Sequence, residues 1–151
     1  MSTTMFVVLL IVGILVAVGA LIAIPLLWWL PRRSEAAAAQ FAAELAGEPL
    51  VRGPEKGSYR GATAPGYPTV KNAGFIALTA RRLVFRTLTG TTIEVPVAEI
   101  TGVREATAFK GSVVGGQTHL IIDTAAGEIA FYVFSGNPAW VTALTGLQAS
   151  S

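Results

Sequence analysis

The residues best equipped for chemistry lie in one stretch, FKGSVVGGQTHLII, from Phe109 to Ile122. It carries Lys110, Ser112, Gly111, Gly115, Gly116 and the only histidine of the chain, His119. Two chemistries would use such a set. A phosphate-binding loop needs the order G-x-x-x-x-G-K-[ST], so that backbone amides and a lysine meet the anion at a helix N-terminus. That order is missing, and the residues that follow alternate like a strand, so no helix dipole is available. The second chemistry is nucleophilic, with Ser112 or Ser135 activated by His119 and oriented by Asp123 or a glutamate. His119 and Asp123 are four residues apart on one strand, roughly 13 Å along an extended chain. A carboxylate at that distance cannot orient the imidazole. Only a fold that gathers His119, Asp123 and Lys110 would make this an enzyme acting on a small or lipidic substrate.

A lone histidine without cysteine does not make a transition-metal site. We expect no catalytic residues, no metal and no cofactor. His119 is expected at the surface or on an edge strand, and the glycines at the tip of a hairpin joining Glu105–Phe109 to Thr118–Ile122.

A stronger functional candidate is the basic trio Arg81, Arg82 and Arg86. Arg82 and Arg86 share a strand face with Val84, and Arg81 sits at the adjoining turn. Such residues could press on anionic headgroups, each contributing about 1 kcal/mol near the surface. The plainer reading, which we favour, is solvated hairpin arginines with Glu94 or Glu99 as a partner. Tyr132 and Phe134 are the other contact candidates, because the alternation of their strand turns them away from the core.

These residues must be positioned by two unlike parts of the chain. Residues 1–30 contain no charged side chain, although charged residues make up 13% of the whole. Met5–Leu30 is an unbroken apolar run of about 26 residues, or roughly 39 Å of helix at ~1.5 Å per residue, more than a bilayer core requires. A signal peptide would have a basic leader and a shorter apolar core, whereas this run follows MSTT, so a retained span is expected. Trp28 and Trp29 suit the headgroup region, and Arg32 and Arg33 follow directly. The positive-inside rule then predicts a single-pass protein of the plasma (inner) membrane, with its N-terminus outside and its C-terminal domain cytoplasmic. The absence of cysteine fits either side of a membrane. Abundant Ala, Gly, Val and Thr, with more Arg than Lys, resemble the composition of high-GC bacteria.

Of the 11 Lys and Arg, two are Arg32 and Arg33, and the other nine balance the nine Asp and Glu. A neutral globular part lacks the electrostatic footprint of a nucleic-acid binder. The expected partners are the bilayer and a membrane protein or a second copy of the chain.

Ser34–Gly47 is predicted as a short helix, capped by Ser34, ended by Gly47, and carrying Phe41 and Leu45 on one face. The Pro- and Gly-rich EPLVRGPEKGS is predicted as a linker. Beyond it, Gly74–Thr79 and Arg82–Leu88 alternate as strands, Thr89-Gly90 turns the chain, and Pro96 marks an edge or a strand end. Val97–Ile100 suits a helical turn. THLIIDT and EIAFYVF flank the turn residues Ala125-Ala126-Gly127. Asn137-Pro138 opens a helix whose Trp140 and Leu144 plug the apolar mouth of the sheet. The predicted organisation is a membrane anchor at 1–31, a juxtamembrane helix and linker at 32–57, a β domain at 58–148 and a tail at 149–151. The fold class is a single N-terminal transmembrane helix plus a mainly-β domain, a curved sheet or partial barrel capped by a C-terminal helix.

Within GFIALTARRLVF, the positions of Leu78-Thr79, Arg82-Leu83 and Phe85, followed by VPVAEITGV, Gly127, Phe131 and Trp140, carry a resemblance. The order is similar to the GRAM branch of the pleckstrin-homology-like superfold, over roughly Gly74–Leu147. The resemblance implies a seven-stranded, orthogonally packed sheet capped by a helix. It also implies a binding or scaffolding role, often in membrane-anchored bacterial proteins. Phosphoinositide readers of the family use basic clusters near the first strands. Here only Arg60 and Lys71 sit nearby, so that specificity is not carried over. The function expected is a non-enzymatic, membrane-tethered binding module, such as an accessory subunit of a larger membrane complex, or alternatively a peripheral reader of anionic lipid headgroups.

Overall fold

A run of 42 residues without a break in helical geometry, α1 (Thr3–Glu44), opens the chain in the computed structural model. The structure describes residues 2–150 apart from 114 and 116. Gly116 of the glycine-rich stretch and Ser151 of the tail therefore lie outside the described residues, as does the side chain of Ser112. The chain divides into two units, Met1–Ala39 and Gln40–Ser151.

In the first unit every side chain from Met5 to Leu30 is exposed, and the helix is long and apolar enough to cross a membrane. The separate helix expected at Ser34–Gly47 does not form as such. Pro25 and Pro31 both lie inside α1, and the Ser34 hydroxyl donates to the Pro31 carbonyl at 2.9 Å instead of capping a new helix. A proline removes one ladder hydrogen bond but need not end a helix when nearby groups satisfy the freed carbonyls.

The second unit is built on seven antiparallel strands. They are β1 (Leu50–Ala62), β2 (Asn72–Thr79), β3 (Arg82–Thr87), β4 (Thr92–Pro96), β5 (Ile100–Ala106), β8 (His119–Thr124) and β9 (Gly127–Val133). Between β5 and β8 a small separate ladder forms from β6 (Ala108–Phe109) and β7 (Ser112–Val113). A single 3-10 turn at Val97–Glu99 links β4 to β5, as expected from VAEI, and α2 (Pro138–Ala149) closes the chain. The strand order in the main sheet is β4-β3-β2-β1-β9-β8-β5, which leaves β4 and β5 as its edges. Pro96 ends the edge strand β4, where its missing N–H costs no ladder bond.

The expected linker is the main departure. Leu50–Ser58 belongs to β1, which pairs with β2 on one side and β9 on the other. Gly53 and Pro54 would be foreign to a central strand, but the register shifts between Arg52 and Glu55 and absorbs both. Gly53 has φ +85°, and a Cβ there would come within 2.6 Å of the Ile76 carbonyl oxygen. Only glycine passes this point.

Alternation then sorts the side chains. The inner face carries Tyr59, Ile76, Leu78, Phe85, Ile93, Leu120, Ile122, Phe131 and Val133, together with Trp140 and Leu144 of α2. The rings of Tyr59, Phe85 and Phe131 meet with centroids 5.6–6.2 Å apart. Trp140 is completely buried, so α2 does plug the sheet. Asn137 does not cap α2 with its side chain. It is itself buried, accepting from the Val133 N–H at 3.0 Å and donating to the Thr118 carbonyl. The side chain thereby ties the end of β9 to the start of β8.

Candidate functional surfaces

The outer face of the sheet holds the polar and charged candidates, and it is not uniform. On β2 and β3 the outward residues Phe75, Ala77 and Val84 are buried, yet they are not part of the inner core. Phe41 and Leu45, in the last turns of the helical segment, are also buried, at 1% and 4% exposure. Three polar contacts join the same two regions. Arg86 lies over the Phe41 ring at 5.3 Å and pairs with Glu44, while Arg82 pairs with Glu48 at 2.9 Å. Residues Gln40–Glu48 thus cover the outer side of the β2–β3 hairpin, and the Phe41–Leu45 stripe packs on the domain.

This decides the state of the basic trio. Arg82 also reaches Glu94, as the sequence allowed, so it bridges two carboxylates and its pKa rises, the Glu48 hydrogen bond contributing most. The hydrogen bond from Arg86 holds the Glu44 carboxyl below its ordinary value. Arg81, at the tight turn between β2 and β3, is exposed and meets no carboxylate among the described residues. Two of the three arginines therefore hold structure, and one faces solvent.

The other side of the outer face is covered by the β6–β7 hairpin. Phe109 packs with Ile121 and Ala130, and its ring centroid is 6.3 Å from that of His119. His119 is thus not a surface or edge residue: β8 lies inside the sheet and the imidazole is 0% exposed. Alternation does turn it outward, but the hairpin folds back over it. Burial, with the nearby Arg60 guanidinium second, pushes its pKa down. Arg60 Nε approaches His119 Nε2 at 3.4 Å, which makes that nitrogen the acceptor and puts the proton of the neutral ring on Nδ1.

The residues of the supposed triad go separate ways. Asp123 is gripped by Arg104 at 3.2 Å, Lys110 Nζ donates to the Ala62 carbonyl at 3.3 Å, and the Ser135 hydroxyl donates to Glu55. Each is engaged elsewhere, and none of these contacts joins it to the imidazole. No group of three or more His, Asp or Glu able to hold a metal occurs among the described residues.

Between the two covers lies an open strip formed by β1 and β9. Phe134 is 57% exposed, Tyr132 is half-buried, and their ring centroids are 5.5 Å apart. Ser58 stands opposite Tyr132 in the ladder, and the Phe134 N–H donates to the Lys56 carbonyl. Both aromatic candidates thus lie side by side on an accessible surface.

A cleft of about 440 Å³ opens at the other end of the sheet, lined by Pro65, Tyr67, Pro68, Thr92, Glu94, Glu99 and Thr124 among others. Its charged lining is acidic only, which is the wrong sign for a phosphate. Burial, then the charge of Glu99, raises the Tyr67 phenol. Tyr59 fastens the cleft's loop by donating to the Pro68 carbonyl, and burial pushes its phenol up to about 12.

In the first unit the predicted interface residues stack in pairs. Arg32 lies over Trp28 at 5.6 Å, and Arg33 over Trp29 at 4.0 Å. Stacking of this kind orients a guanidinium at a cost small beside its charge.

No family model matches the chain, and no curated protein does. Among solved structures it is similar to the C-terminal domain of an unknown protein from Leishmania infantum. The identity is 16% over 70% of this chain and 90% of that one, with a TM-score of 0.48.

Proposed function

We propose that the chain is a single-span membrane protein whose β domain works as a non-enzymatic binding module of the GRAM, pleckstrin-homology-like kind. The N-terminus would lie outside and residues 32–151 in the cytoplasm. One observation carries the reading: a fully exposed apolar helix precedes a domain whose outer sheet face leaves an aromatic pair uncovered. The order β4-β3-β2-β1-β9-β8-β5 followed by a helix is consistent with the seven strands and capping helix that the resemblance implies. Arg32 and Arg33, stacked on Trp28 and Trp29 at the end of the apolar run, fit an inner-leaflet boundary.

Copurification of the full chain in mild detergent tests the module reading. A stable partner or a self-assembled complex is expected, and a monodisperse monomer at every concentration would overturn it. A reporter fused after Ser151 tests the topology, with activity expected only in the cytoplasm. The exposed Arg81 favours a second reading, contact with anionic headgroups. Vesicles containing anionic lipid should then retain the protein better than neutral ones, and Arg81→Glu should abolish the difference.

A further inference from the structure

One acid of the second unit stands outside its ion pairs. Glu44, Glu48, Glu55, Glu94, Asp123 and Glu128 each meet an arginine, and the Thr118 hydroxyl donates to Glu105 at 2.6 Å. Glu99, in the 3-10 turn before β5, is exposed and forms no ion pair among the described residues. It lines the cleft of about 440 Å³, together with the β1–β2 loop, the edge strand β4 and the turn between β8 and β9. Other polar groups of that lining are already engaged. Arg82 pairs with Glu94, Arg86 Nε donates to the Thr92 hydroxyl at 3.0 Å, and the Thr124 hydroxyl donates to the Gly127 carbonyl at 2.9 Å. The Tyr67 phenol stands close enough to feel the charge of Glu99. Two walls of the cleft are tied to each other. The Thr63 N–H donates to the Glu128 carbonyl, and the Thr63 hydroxyl accepts from the Glu128 N–H, both at 2.8 Å. Gly127 packs so closely on this loop that a Cβ would come within 2.7 Å of the Ala64 nitrogen.

We propose that this cleft binds a small organic cation, an ammonium group carried on an apolar body. The inference goes beyond the module reading and does not rest on it. The volume falls in the range of small-molecule sites. Charge selects the ligand. Among the described residues Glu94 and Glu99 line the cleft and no lysine, arginine or histidine does, so an anion meets only repulsion there. Arg82 does not cancel the acidic lining, because it is shared between Glu48 and Glu94. Glu99 accepts from the ammonium in a charge-assisted hydrogen bond, while Pro65, Pro68 and Ala126 offer apolar surface to the body. A bare metal ion fits less well, since no group of three His, Asp or Glu able to hold one occurs among the described residues.

Equilibrium dialysis of the full chain in neutral detergent tests this, with phenethylammonium as the probe and empty micelles as the blank. Saturable uptake above the blank is expected. Phenethyl alcohol and hydrocinnamate keep the ring but replace the cation by a neutral or an anionic group, and each should bind at least about tenfold more weakly. Glu99→Gln should weaken phenethylammonium about tenfold, the scale of one charge-assisted hydrogen bond. Glu105→Gln, an equal change of charge at a residue outside the cleft, should leave it unchanged. Ala126→Phe fills the cleft without touching a charge and should abolish uptake. The inference is overturned by an absence of saturable uptake, by equal binding of the alcohol or the anion, or by undiminished uptake in Ala126→Phe. Equal losses from Glu99→Gln and Glu105→Gln would overturn it too. None of these outcomes bears on copurification, so the module reading is decided by its own test.

Discussion

The two cationic regions on the outer sheet face look alike in sequence and differ in what surrounds them. Arg82 and Arg86 project from β3 into a set of carboxylates, Glu44, Glu48 and Glu94, beneath a buried Phe41. Lys56 stands on β1 opposite Phe134, whose exposed ring packs beside the half-buried Tyr132. The arginine region is an internal contact between a helical end and a hairpin, while Lys56 is exposed to solvent. An arginine serves the first role better because its planar fork can hold two carboxylates at once, as Arg82 does. A cluster of positive charge is thus no sign of a ligand until its neighbours are counted.

That contrast can be tested most severely by cutting the chain. A fragment of residues 40–151 keeps both Phe41 and the whole of β1 and should unfold cooperatively. A fragment of 58–151 loses the cover and half of a central strand, and should show no cooperative transition by circular dichroism. If the shorter fragment folds equally well, residues 40–57 are not part of the domain.

Next in size is Phe41→Ala, expected to cost about 3–5 kcal/mol in urea unfolding, as for other buried aromatic truncations. Arg82→Ala should cost about 1 kcal/mol by leaving Glu48 and Glu94 uncompensated, while Arg81→Ala changes nothing measurable. Equal effects of the two would erase the distinction between the occupied and the solvent-facing arginine.

A smaller and pH-dependent effect belongs to His119. Its folded value lies below the ordinary 6.5 because the ring is buried and faces Arg60. As pH falls below 6.5, the unfolded chain takes up a proton before the folded one does, so stability is full above 6.5 and declines beneath it. His119→Gln should flatten the decline in that window. Should the variant leave the profile unchanged, the imidazole is not held neutral by its surroundings. Glu44 acts in the same direction at lower pH, below its ordinary 4.5.

A similarly small change in stability is expected from Phe134→Ala, within about 0.5 kcal/mol, because an exposed ring has little packing to lose. A large loss there would mean that the strip serves the fold and is not a free surface.

Particular residues show where sequence reasoning was sufficient. Alternation along THLIIDT and EIAFYVF turns Leu120 and Ile122, and Ile129 and Phe131, to one face of their strands, and all four lie in the core. The helical turn at Val97–Glu99 and the helix opening at Pro138 were similarly legible. Glu48–Ser58 misled because glycine and proline normally exclude a central strand, and only a bulge against β2 accommodates them. His119 misled because period two tells which face a residue takes, but not what folds over that face. The arginine partners were half legible: Glu94 lies 12 residues from Arg82, whereas Glu48 lies 34 away.

Some properties of this protein follow from neighbouring residues alone: a charge-free apolar run, the alternation of strands, and the aromatic and basic boundary around Leu30. Each is a local pattern, set by helix rise and strand pleat, and can be read without knowing where the chain goes next. The central place of β1, the burial of His119 and the pairing of Arg82 and Arg86 with carboxylates were decided only in three dimensions. They depend on contacts between residues tens of positions apart, and the desolvation and pairing of a charge are properties of its surroundings rather than of its type.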